Sequence, residues 1–115
     1  MTPFGEMVRA LRKKRGVTLK RMAGDLHLSA AYLSALEHGR RGRPSGVLLR
    51  QICSYFNIIW DDEEELERRA RLSHPRVKID TAGLSPKATE LANRLAADIG
   101  SLSDDKLEKI LEELE

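Results

Sequence analysis

Three arginines surround one glycine in Arg40-Arg41-Gly42-Arg43, directly after the segment Ser29–His38. Guanidinium groups stay charged at any biological pH and offer forked donors to phosphate oxygens. The preceding segment turns Ala30, Ala31, Tyr32 and Ala35 outward, with Ser34 on a flank. Alanine makes no bidentate hydrogen bond to a base edge; it touches thymine methyls or lets backbones approach. Tyr32 is then the main side chain able to read a base. The chemistry this predicts is non-covalent recognition of a polyanion. Nothing points to catalysis: the chain contains no HExxH, P-loop or CxxC pattern, and His27, His38 and His74 stand apart. No enzyme activity, metal or cofactor is expected.

These side chains need a rigid support, and the flanking pattern supplies one. Thr2 and Pro3 start a helix with an apolar stripe of Phe4, Val8 and Leu11, which Gly16 stops. Thr18 caps a second helix, with Met22, Ala23 and Leu26 inward. His27-Leu28 makes a tight turn, and Ser29 caps a third helix anchored by Leu33 and Leu36. Gly39 ends it. Pro44-Ser45 opens a fourth helix with Leu49, Ile52, Cys53 and Phe56 buried, and Asn57 takes the left-handed position after it. A fifth runs from Asp61 to about Leu72, with acidic residues at its start and Arg68, Arg69 and Arg71 at its end, as the helix dipole favours. Two short helices joined by a brief turn form a unit in which the first braces the second at a fixed angle.

The net charge of +2 conceals a division. Residues 1–60 carry 11 Lys/Arg and 3 Asp/Glu, whereas residues 61–115 carry 9 Lys/Arg and 15 Asp/Glu. A basic front and an acidic rear predict polyanion binding in front and a different task behind. Lys20, among other basic residues, and the Thr18 hydroxyl join the expected contact set. One cysteine, Cys53, excludes an internal disulfide and suits a reducing compartment. Without a long apolar run or a signal-peptide core, a cytoplasmic, nucleoid-associated protein is expected.

The block GVTLKRMAGDLHLSAAYLSALEHGRRGRPS, with FGEMVRALRKKRG before it, resembles the Cro/cI-type helix-turn-helix of bacterial and phage repressors, the XRE family. The resemblance covers roughly residues 4–60. It implies an all-α, five-helix lambda-repressor-like DNA-binding domain and a dimeric regulator on a palindromic operator. It makes Ser29–His38 the recognition helix, with Ala30, Ala31, Tyr32 and Ala35 where the family reads bases. It also implies a partly buried ion pair between Arg12 and Glu37. The chain departs from the pattern at Leu19 and Ala30, where the family often has glutamine. RGRP at residues 41–44 is similar to the core of an AT-hook, whose arginines lie in narrow A·T-rich minor grooves. Phosphate contact is the simpler expectation for the same arginines.

Residues 73–84 read as an extended connection with room for one short strand at Val77–Asp80. Residues 85–115 follow as two short amphipathic helices, the first carrying Leu91, Leu95 and Ile99, the second Leu107, Ile110, Leu111 and Leu114. Helices this short must pack on something, and the same segment of a second chain is the preferred partner. The sequence thus predicts a DNA-binding domain over 1–72, a connection and a dimerisation segment, together making a homodimeric transcriptional regulator, more readily a repressor. An antitoxin of the same fold, or a protein-interaction module reusing it, are the competing readings. No membrane association is expected, and no small-molecule effector is indicated or excluded.

Overall fold

The computed structural model describes residues Met1–Glu115 as seven α-helices and one short 3-10 turn, with no strand. The helices are α1 (Pro3–Arg15), α2 (Leu19–Asp25), α3 (Ala30–Glu37), α4 (Gly46–Phe56), α5 (Asp61–Arg71), α6 (Pro86–Asp98) and α7 (Asp104–Glu113). They fall into two compact units, Met1–Val77 and Lys78–Glu115.

Most helices start on a hydroxyl. The side chains of Thr2, Thr18, Ser29, Ser45, Ser85 and Ser103 each accept a hydrogen bond from the amide three residues on. Each such cap satisfies an orphan amide and contributes about 1 kcal/mol. α5 is the exception. Its N-cap is Trp60, which makes no side-chain cap bond. Left-handed Gly16 and Asn57 terminate α1 and α4.

The core of the first unit is made by Phe4 and Val8 of α1, Met22 and Ala23 of α2, Leu33 and Leu36 of α3, Leu48, Ile52, Cys53 and Phe56 of α4, and Leu66 and Ala70 of α5. Burying each large aliphatic or aromatic side chain contributes about 1.5–3 kcal/mol. Leu48 is buried in α4, and Leu49, expected there, is half-buried at the edge of the core. Burial pushes the Cys53 thiol up from its ordinary pKa, so it stays protonated and packs as a small apolar group.

Two expectations about the connection are corrected. Ser73 does not lie in a linker: it is buried, and its hydroxyl accepts from the Phe4 amide at 2.9 Å and donates to the Arg69 carbonyl. The first unit therefore continues past Leu72. No strand forms at Val77–Asp80. Val77 and Ile79 are exposed and no neighbouring strand offers a ladder, so these residues join no sheet.

In the second unit no residue is fully buried. Leu91, Ile99, Leu111 and Leu114 are exposed, while Leu95, Leu107 and Ile110 are half-buried. Ile99 and Gly100 sit in the 3-10 turn Ile99–Ser101 rather than in α6. No helix of the chain is long and apolar enough to cross a membrane.

Candidate nucleic-acid interface

α2 and α3 are joined by Leu26–Ser29. His27 takes φ 58°, a left-handed conformation that histidine tolerates better than most residues. The Leu28 amide donates to the Ala23 carbonyl at 2.8 Å, which closes the turn onto α2. Ala23 is 1% exposed and belongs to the core. Leu28 packs against the core behind the turn. Ser29 then caps α3, accepting from the Tyr32 amide at 3.0 Å.

The C-terminal end of α3 is clamped by α1 through one residue. Arg12 donates two bonds to the Glu37 carboxylate, at 3.0 and 3.1 Å. The Glu37 carbonyl accepts from the Thr2 amide at 2.9 Å and the Thr2 hydroxyl at 3.1 Å. Gly5 crosses so close that a Cβ there would overlap the Glu37 carbonyl. Burial raises the pKa of the Glu37 carboxyl, and the Arg12 guanidinium opposes that shift. Thr2 and Gly5 were not singled out from sequence as positioning residues. Their importance follows from a crossing between residues far apart in the chain, which local pattern does not display.

The exposed face of α3 is narrower than expected. Ala31 and Tyr32 are exposed, whereas Ser34 and Ala35 are half-buried. Ala30 is half-buried and packs on the core, so it is not one of the outward residues. The reason is helical geometry: Ala30 shares a face with Leu33 and Glu37, three and seven residues on. Thr18 and Lys20 are exposed at the start of α2; the Thr18 hydroxyl is occupied as a cap, accepting from the Arg21 amide at 3.1 Å. Leu19, in the position where glutamine is common, packs against the core.

Beyond α3 the chain makes a tight excursion. Gly39 is buried at φ 77°, and a Cβ added there would crowd the Thr2 methyl; Gly42 takes φ 78° with nothing close to an added Cβ. The Arg40 amide donates to the Ala35 carbonyl at 2.8 Å, and Pro44 is buried at the far end. Both ends of the loop are therefore pinned. Arg40, Arg41 and Arg43 are exposed, and none takes part in an ion pair. By contrast Arg12 is consumed by Glu37, Arg21 lies 3.8 Å from Asp25, and Arg15 donates to the Tyr55 carbonyl and lies over the Phe56 ring at 5.4 Å. The loop arginines keep their charge and donors available.

Two short helices at a fixed angle, the second clamped at its far end and followed by a pinned basic loop, define a helix-turn-helix unit. Residues 5–73 match the family described as "Helix-turn-helix domain". The chain belongs to the XRE-type helix-turn-helix family.

Named relatives agree. An uncharacterized HTH-type transcriptional regulator of Bacillus subtilis, RghRB, is 29% identical over 62 residues, 54% of this chain and 45% of that protein. The HTH-type transcriptional repressor RghR of the same organism is 34% identical over 61 residues, 53% of this chain and 45% of its own. The transcriptional regulator ClgR of Mycobacterium tuberculosis is 32% identical over 74 residues, 60% of this chain and 65% of ClgR. The matches thus span about half to two thirds of these relatives' own length. No solved structure shows significant similarity to the chain.

Proposed function

We propose that the protein is a sequence-specific DNA-binding transcriptional regulator that represses from a palindromic operator as a homodimer. The observation that carries this reading is the clamped α3 with its three unpaired loop arginines. α3 enters the major groove, where Ala31 approaches thymine methyls and Tyr32 reads a base edge. Arg40, Arg41 and Arg43 engage the adjacent phosphates, and Arg43 beside Gly42 follows the backbone toward a narrow A·T-rich minor groove. Sparse direct readout leaves much of the affinity to the loop and its electrostatics. Repression follows the name of RghR, and the reading of α6 and α7 as the dimer contact rests on their open apolar faces.

A footprint on the DNA upstream of the protein's own gene tests the operator geometry. Two protected half-sites related by a dyad, with centres about one helical turn apart, are expected. A single unsymmetrical footprint would refute the homodimer on a palindrome. Removing the gene should raise output from that promoter in a reporter strain; a fall would instead make the protein an activator.

A further inference from the structure

One cleft of the first unit gathers charges of both signs that nothing in the chain neutralises. It lies between α4 and α5, with Arg43 at its rim, and has a volume of about 400 Å³, within the roughly 300–1,000 Å³ of small-molecule sites. α5 contributes Glu63, Glu67 and Arg71, spaced by four residues along one face. α4 contributes Arg50. None of these five charged side chains takes part in an ion pair within the chain. Glu63 and Glu67 are half-buried, and like charges one helical turn apart repel each other. Glu67 and Arg71 stand at the spacing of a helical ion pair yet do not close one. The Arg50 side chain folds back along α4, its Nη1 3.6 Å from where a Gly46 Cβ would stand. It thereby joins Arg43 at the start of α4. Leu49 and Ala70 give the cleft an apolar floor.

We propose that this cleft binds a small aliphatic zwitterion, a free amino acid or a short peptide. Its ammonium group sits between Glu63 and Glu67, its carboxylate faces Arg71 and the arginines at the start of α4, and its side chain rests on Leu49 and Ala70. A simple anion would answer the arginines and leave two carboxylates repelling each other. A simple cation would do the reverse. Only a ligand carrying both charges satisfies both sets, and guanidinium is well matched to a carboxylate. Arg43 also belongs to the loop read above as a DNA contact. On that reading a bound carboxylate draws Arg43 away from phosphate, so zwitterion and DNA weaken each other's binding reciprocally.

Amide NMR of the isotope-labelled full chain, without DNA, tests the cleft alone. Leucine and the dipeptide leucyl-leucine are each titrated to about 10 mM, a range suited to ligands of few atoms, and the tighter binder identifies the source. Shifts are expected at the amides of Gly46, Leu49 and Ala70. N-acetyl-leucine and leucine amide, each lacking one charge, should bind about tenfold more weakly than leucine. Glu67→Gln and Arg71→Gln should each weaken zwitterion binding to a similar degree at unchanged far-UV circular dichroism. Arg68→Gln, outside the cleft, should not. No shift with either zwitterion, or equal binding of the blocked forms, would overturn the proposal. In an anisotropy titration with promoter duplex, the zwitterion should weaken DNA binding several-fold, and Arg43→Ala should remove that effect. Cleft shifts with unchanged DNA affinity would overturn the coupling. A duplex that is never bound would count against the DNA-binding reading and not against the cleft.

Discussion

The Arg12–Glu37 pair shows how one residue's environment governs the placement of α3. Glu37 is 2% exposed and its carboxylate holds both oxygens toward one guanidinium. A buried charge that loses its partner costs about 3–5 kcal/mol. Arg12→Met should therefore destabilise the protein by about 3 kcal/mol in urea unfolding near pH 7. The pH dependence has a definite sign. Burial already raises the Glu37 pKa and Arg12 is the largest influence opposing it. Without Arg12 the folded state binds a proton at higher pH than the unfolded chain, so stability falls as pH rises through that interval. The deficit of Arg12→Met should shrink as pH is lowered from about 7 toward about 5. A deficit that is constant or grows would contradict the pairing. Arg43→Ala belongs to the same scale. Measured by gel shift, it should weaken binding and reduce preference for A·T-rich flanks. Weaker binding with an unchanged flank preference would assign Arg43 to phosphate alone.

Among the elements, α1 is a brace as much as a core helix. Gly5 lets it cross the end of α3 at a distance that excludes any side chain. Gly5→Ala should lower the melting temperature by several degrees, since overpacking costs about 1–3 kcal/mol. Gly24→Ala is the matching control. Gly24 lies in α2 with nothing within 4 Å of an added Cβ, so helix propensity should make the change stabilising by about 0.5–1 kcal/mol. If both variants behaved alike, the close crossing would not be what constrains Gly5. α6 and α7 make a different prediction. Leu91 and Leu111 are already exposed in the single chain, so replacing both by glutamate should leave helicity intact. Light scattering at tens of micromolar should then report a monomer, whereas the parent chain should report a dimer, as expected for an interface that needs its apolar face. A dimer that survives would remove the C-terminal unit from the account.

The helix starts were legible because Thr2, Thr18, Ser29, Ser45, Ser85 and Ser103 write the cap chemistry into the sequence. The α2–α3 unit was legible because its turn is local. What escaped was tertiary. The sequence pattern puts Ala30 on the open face of α3, but it is partly buried against the core. The burial of Leu48 over Leu49 depends on where α4 begins. Ser73 joins the first unit through a hydrogen bond to Phe4, an interaction across almost the whole unit. Trp60 makes no capping side-chain bond, and its positive φ is not written into its residue type.

For the whole molecule, charge is distributed by task. Residues 1–60 hold an excess of Lys/Arg and residues 61–115 an excess of Asp/Glu. The basic part contains α3 and the arginine loop after it, and the acidic part carries a net negative charge. Binding that relies on unpaired arginines releases counterions, so affinity should fall linearly with salt on a logarithmic scale. Specific binding must add to that term a preference that salt does not remove. The most direct test is a fluorescence-anisotropy titration of the full chain against DNA from its own promoter and a scrambled duplex of equal composition, at several salt concentrations. Tighter binding to the promoter DNA is expected at every salt concentration, with both affinities declining as salt rises. Equal affinity for the two duplexes across the series, or no binding to either at low salt, would contradict it.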